Sequence, residues 1–128
     1  MDAGADLVVG HHAHIAKGVE TYRGKAIVYS LNNFVLRPRG DDGEWLSADN
    51  TPSDQQRTLV LRCVIRDGRL TRVAFLPCWI GPDACPELLP ATDPRADLVF
   101  DYVRWASAEA GLPVVFTRDG DELVVGLP

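Results

Sequence analysis

An α+β fold built mostly of antiparallel hairpins, with one helix near residues 94–110, is what the sequence predicts. Three observations predict it. The run from Arg57 to Arg66 alternates apolar and polar side chains, meets Asp67-Gly68, and returns from Leu70 to Pro77, which reads as a hairpin. Arg23-Gly24 and Asp119-Gly120 are turn signals between two further pairs of short apolar runs. Asp93-Pro94 opens a helix, with Asp93 as N-cap and Pro94 in the first position. Leu98, Val99, Tyr102, Val103, Ala106 and Ala110 then recur at helical spacing, and Gly111 and Pro113 stop it.

The elements follow in order. Met1 to Ala5 reads as the end of a helix with Gly4 as its stop. Asp6-Leu7-Val8-Val9 is a short apolar run, expected as a buried strand. Gly10 and a histidine run follow, in a loop at the strand's C-terminal edge, where open α/β sheets carry their sites. Gly18 to Tyr22 and Lys25 to Ser30 form a hairpin, which Leu31 to Leu36 continues toward a break. Arg37 to Gln56 is a long polar surface loop. In the central hairpin Leu59, Leu61, Cys63 and Ile65 share one face, and Val73 and Phe75 share one face of the return strand. Trp79 to Thr92 is a Pro-rich connection, and Val114 to Arg118 with Glu122 to Leu127 is the last hairpin. The expectation is one helix and about seven strands, with residues 79–128 as a helix-and-hairpin extension closing the domain begun by residues 1–78.

A chain of 128 residues, 46% hydrophobic and 24% charged, suits one small globular domain. The net charge of −5 argues against duplex nucleic acid as the main partner. The basic residues look dispersed, with Arg37 and Arg39 the nearest thing to a patch. No apolar run approaches the roughly 18–20 residues of a membrane span, and the first residues do not read as a signal peptide. The three cysteines Cys63, Cys78 and Cys85 have no CxxC spacing, so a thiolate zinc site is not expected. Cys78 and Cys85 are open to pairing in an oxidising compartment or to being two ordinary thiols.

All three histidines, His11, His12 and His14, fall within one tetrapeptide. In an extended segment His12 and His14 point to one side, able to reach one metal or two adjacent metals, and His11 faces the fold or a substrate. Gly10 lets the backbone bend sharply before the ligands. A dinuclear hydrolytic centre also needs bridging carboxylate and further ligands. The chain has no Asp-x-His, Gly-Asp-x-x-Asp or Gly-Asn-His, and Asp6 belongs at the far end of the strand.

Asp2-Ala3-Gly4-Ala5-Asp6-Leu7-Val8-Val9-Gly10-His11-His12-Ala13-His14 resembles the Gly-Ala-Asp-x-Val-x-Gly-His-His-Pro-His segment of the CapA/PgsA-type poly-γ-glutamate capsule biosynthesis family. The resemblance continues through Lys17-Gly18-Val19-Glu20, Tyr22, Gly24-Lys25 and Ile27-Val28-Tyr29-Ser30-Leu31-Asn32-Asn33-Phe34. That family is similar to calcineurin-like metallophosphoesterases, α/β sandwiches with two metals between two sheets. The resemblance therefore implies the C-terminal part of such a sandwich. It implies metal ligation by His12 and His14, with an alternative register that uses His11, and otherwise a catalytic place for His11. Asn33 and Ser30 are implied to shape or line the substrate site. Arg37, with Arg39, stands where it meets a phosphate or polyglutamate carboxylate, or is solvated loop. Ala13 replaces the family's Pro, and Asn32 replaces its Gly at a turn that Asn tolerates.

The implied function is a metal-dependent, phosphoesterase-like hydrolase of capsule synthesis, incomplete and inactive as this chain alone. The other readings are a non-catalytic polymer- or partner-binding component of polyglutamate assembly, or a truncated remnant. The implied cofactors are divalent ions of the Mn, Fe or Zn class, two in a complete domain and weakly held here. The implied partners are a missing N-terminal half of the domain and a polyglutamate or phosphoester substrate, with no nucleic acid. The source is expected to be bacterial, and full-length family members are often associated with the cell envelope.

Overall fold

The computed structural model describes residues 1–35, 53–81 and 83–127. Arg37, Arg39 and most of the polar stretch expected as a loop lie outside the described residues. Among the described residues there are eight strands and two helices. Strands β1 (Leu7–Val9), β2 (Val19–Tyr22) and β3 (Lys25–Val28) form a sheet of order β1-β3-β2. β1 runs parallel to β3, and β2 pairs β3 antiparallel around Arg23-Gly24, both at positive φ. Helix α1 (Ser53–Gln56) leads into β4 (Arg57–Arg66), and β5 (Arg69–Ile80) returns along its whole length. β6 (Pro86–Leu88) pairs β5. Helix α2 (Pro94–Glu109) is followed by the β7 (Phe116–Asp119) and β8 (Glu122–Val125) hairpin, giving the order β4-β5-β8-β7.

The helix forms where its signals place it. The Asp93 carboxylate accepts from the Arg95 N–H (2.8 Å) and Pro94 occupies the first turn. The Arg95 guanidinium on the same carboxylate holds its pKa below the usual range. α2 buries Ala96, Val99, Phe100 and Val103. Across from them lie Leu59, Val73, Phe75 and Leu123 of the larger sheet and Val19, Ala26 and Val28 of the smaller. The helix thus stands between both sheets and belongs to one apolar core.

Ser107 ties the helix to the small sheet. Its hydroxyl donates to the Val103 carbonyl (2.8 Å) and accepts from the Val19 N–H (3.0 Å), and the side chain is buried. Ser107→Ala leaves that buried N–H without its acceptor. The expected cost is about 1–3 kcal/mol, measured as a lower urea midpoint at unchanged slope.

Several expectations are corrected. Met1 to Ala5 is a turn rather than a helix end, with the Gly4 N–H on the Met1 carbonyl and Gly4 at φ 102°. β1 is an edge strand, with Val8 and Val9 exposed instead of buried. β3 ends at Val28, and Leu31 makes a single bridge to Ala16 rather than extending the strand. α1 forms in the stretch expected as loop. Ile65 keeps the face of Leu61 and Cys63, opposite Leu70, but lies near the hairpin tip and is exposed. β5 runs past Pro77, and the expected connection contains β6. The Pro77 carbonyl accepts from Leu89 N–H (2.9 Å), so its donorless nitrogen faces the gap between β8 and β6 and costs the β4 ladder nothing. Cys63, Cys78 and Cys85 are free thiols, and burial raises the Cys78 pKa.

Candidate functional site

The site is the loop that leaves β1. Gly10 N–H donates to the Val28 carbonyl (2.7 Å), and Leu31 N–H donates to the Gly10 carbonyl (3.3 Å), so Gly10 lies clamped against the end of β3. A Cβ on Gly10 would run into the Tyr29 carbonyl oxygen and carbon. Glycine is needed there for close backbone approach, since Gly10 is absent from the positive-φ residues. The unusual conformations fall on the histidines themselves, His12 at φ 81° and His14 at φ 56°. Histidine tolerates this region better than most residues, and backbone strain gathers at functional sites. The loop is therefore not extended, and strand alternation does not set the side-chain directions.

His12 and His14 are nonetheless neighbours, with ring centroids 5.9 Å apart, and both are exposed. The His14 Nδ1 lies 2.6 Å from the Asn33 Oδ1. An amide oxygen only accepts, so Nδ1 carries the proton and the Nε2 lone pair is free. An imidazole held this way can present Nε2 to a ligand. Asn33, expected to line the substrate site, is buried and hydrogen-bonds His14. Ser30 is buried, and its hydroxyl accepts from the Asn32 N–H (3.3 Å). His11 lines a groove of about 280 Å³ with Asn32, Asn33, Phe34 and Thr58.

The loop after β3 is fixed by Asn32 and by Thr58, of which the sequence motif singled out only Asn32. Asn32 sits at φ 75°, and its amide nitrogen donates to the Asp54 (3.0 Å), Gln55 (3.2 Å) and Arg57 (2.6 Å) carbonyls. The Asn32 Oδ1 accepts from the Asn33 N–H (2.6 Å). Thr58, buried on β4, donates to the Asn33 and Leu31 carbonyls. Asn33 is thus held from the larger sheet while it holds His14 across to the smaller one.

Two imidazoles are a partial ligand set, since a structural or catalytic ion of this class takes four or more donors. Among the described residues no group of three or more His, Cys, Asp or Glu side chains is arranged to hold an ion. Asp6 pairs with Lys25 (2.9 Å) at the opposite end of β1, as expected, and Asp2 pairs with Arg23 (3.0 Å). No helix among the described residues is long and apolar enough to cross a membrane.

Comparison with known proteins falls on this same segment. Residues 1–38 match the family described as bacterial capsule synthesis protein PGA_cap. Over 35 residues the chain is 59% identical to the PGA biosynthesis protein CapA of Bacillus subtilis, which is 27% of this chain and 9% of that protein. It is 51% identical over 36 residues to the capsule biosynthesis protein CapA of Bacillus anthracis, 28% of this chain and 9% of that one. A probable polyglutamine synthesis accessory protein of Mycobacterium tuberculosis is 32% identical over 82 residues, 63% of this chain and 20% of its own length. The chain thus spans only a small part of the relatives it matches. By the segment that holds the histidine loop, it is similar to the bacterial PGA_cap capsule synthesis family, as a partial match to longer proteins.

Proposed function

We propose that this chain carries the closing histidine pair of a metal-dependent, phosphoesterase-like hydrolase of poly-γ-glutamate capsule synthesis. In this reading the 128 residues are the C-terminal part of a metallophosphoesterase-like sandwich. The observation that carries it is the His12–His14 pair, with its strained backbone and with His14 fixed through Nδ1 by Asn33. His12 and His14 supply two nitrogen ligands to an ion of the Mn, Fe or Zn class. Carboxylates and further histidines come from a part of the longer protein outside this chain. The bound metal would supply Lewis-acid polarisation and an activated water. In this reading His11 meets a substrate group from the groove it lines with Asn33, and Ser30 supports the turn behind it; what supports this is the groove and the Ser30–Asn32 hydrogen bond.

The isolated chain is expected to turn over no phosphodiester. A longer form that supplies the remaining ligands is expected to hold metal and hydrolyse bis-p-nitrophenyl phosphate, and His12→Ala or His14→Ala removes both properties. Turnover by the 128-residue chain contradicts the reading. So does a long form whose metal content ignores both substitutions.

A further inference from the structure

The Asn33 side chain reaches His14, but among the described residues no sheet ladder holds Asn33 itself. It lies past the end of β3, and both its backbone polar groups are taken by side chains. The N–H donates to the Asn32 Oδ1 (2.6 Å), and the C=O accepts from the Thr58 hydroxyl. That hydroxyl has one proton to give, and Asn33 is the nearer of its two acceptors, with the Leu31 carbonyl at 3.2 Å.

Thr58 is well placed to be the fixed point. It is the second residue of β4, fully buried, and paired with Cys78 of β5. β5 in turn lies between β4 and β8 in the larger sheet. The branched Cβ of threonine restricts χ1, so the ladder aims the hydroxyl. Arg57, one residue earlier, accepts from the Asn32 amide (2.6 Å). Both clamps on Asn33 therefore lead back to the start of β4, in the other sheet. The direction of the Asn33 amide decides what His14 can do. With Oδ1 on Nδ1, the ring proton sits on Nδ1 and the Nε2 lone pair is free. An Asn33 amide turned over would present its NH2 to Nδ1, move the ring proton to Nε2 and remove that lone pair.

We propose that Thr58 is a positioning residue for His14. By fixing the Asn33 carbonyl it keeps Oδ1 on the His14 Nδ1, and so keeps the Nε2 lone pair available to a metal. It touches neither metal nor substrate and acts only through Asn33. The larger sheet thus sets the protonation pattern of a ring carried by the smaller one. The metal consequence rests on the proposed reading of His14 as a ligand, whereas the tautomer consequence needs no metal.

The test compares Thr58→Val, which keeps the shape and deletes the proton donor, with Thr58→Ser, which keeps the donor. Valine suits a strand, so the fold is retained, and circular dichroism checks it. Nitrogen-15 NMR of the metal-free chain at one alkaline pH reads the His14 tautomer. Wild type and Thr58→Ser are expected to carry the proton on Nδ1, and Thr58→Val to show both tautomers. Zinc affinity is expected to fall by about tenfold in Thr58→Val and to be largely restored in Thr58→Ser. Ser107→Ala removes a buried acceptor elsewhere in the core and is the control, expected to lower stability and leave both readouts unchanged. A wild-type tautomer in Thr58→Val overturns the inference. So does a Thr58→Ser variant that behaves like Thr58→Val, or a Ser107→Ala variant that shifts both readouts as far, which would make the effect one of general destabilisation. Absence of zinc binding in the wild type counts against the proposed function alone, because the tautomer comparison decides the role of Thr58 without metal.

Discussion

Phe75→Ala is expected to lower stability by about 3–5 kcal/mol. Phe75 is fully buried at the middle of β5, with Leu61 across from it on β4 and Leu123 on β8. It belongs to the same core cluster as Val99, Phe100 and Val103 of α2. Truncation loses the transfer energy of the ring and leaves a cavity that three packed elements cannot close. A small domain has only about 5–15 kcal/mol in total, so the variant should be partly unfolded at physiological temperature. The urea midpoint should fall with the slope unchanged. Phe34→Ala is the control: Phe34 is 53% exposed, and its loss should stay within about 0.5 kcal/mol. Equal effects of the two substitutions would contradict this description of the core.

Gly10→Ala is expected to harm both stability and the histidine loop. The new methyl meets backbone, the Tyr29 carbonyl, and has no flexible side chain to displace. Either β1 separates from β3 or the Gly10 hydrogen bonds to Val28 and Leu31 lengthen. Overpacking of this kind costs about 1–3 kcal/mol. The larger consequence is functional, because His12 and His14 follow directly and their positions rest on that clamp. Zinc affinity should fall by about tenfold, the scale seen when the support of a ligand is disturbed. Gly68→Ala, at a hairpin turn where a Cβ meets nothing, should cost some stability through its positive φ and leave zinc affinity unchanged. Unaltered zinc affinity in Gly10→Ala would show that the clamp does not position the pair.

Much of the fold is written locally. The helix from Pro94, its Asp93 cap, and the turns at Arg23-Gly24 and Asp67-Gly68 all follow from residues adjacent in sequence. What was not legible depends on partners far along the chain. β1 is apolar enough to read as buried, but its burial depends on a neighbour, and among the described residues only β3 pairs with it. Pro77 reads as a strand end, yet it is tolerated because its nitrogen faces a gap between two short strands.

The site divides in the same way. The histidine cluster and the need for glycine before it are visible in sequence, though glycine serves close approach rather than a bend. The pairing of His12 with His14 is also visible, but positive φ at both residues sets it, not strand alternation. The hold of Asn33 on His14 spans nineteen residues, and Thr58 clamps Asn33 from a different sheet, so spacing gave no sign of either. Asn32 was expected to survive at a glycine position, and it does, while also tying α1 and β4 to the loop.

The most direct measurement is nitrogen-15 NMR of the histidine rings while the chain is titrated with zinc. The account predicts that the Nε2 resonances of His12 and His14 shift together, that His11 stays in place, and that Asn33→Ala weakens the binding by about tenfold. A zinc site that recruits His11 in place of either partner, or histidine rings that do not respond to zinc at all, would contradict it.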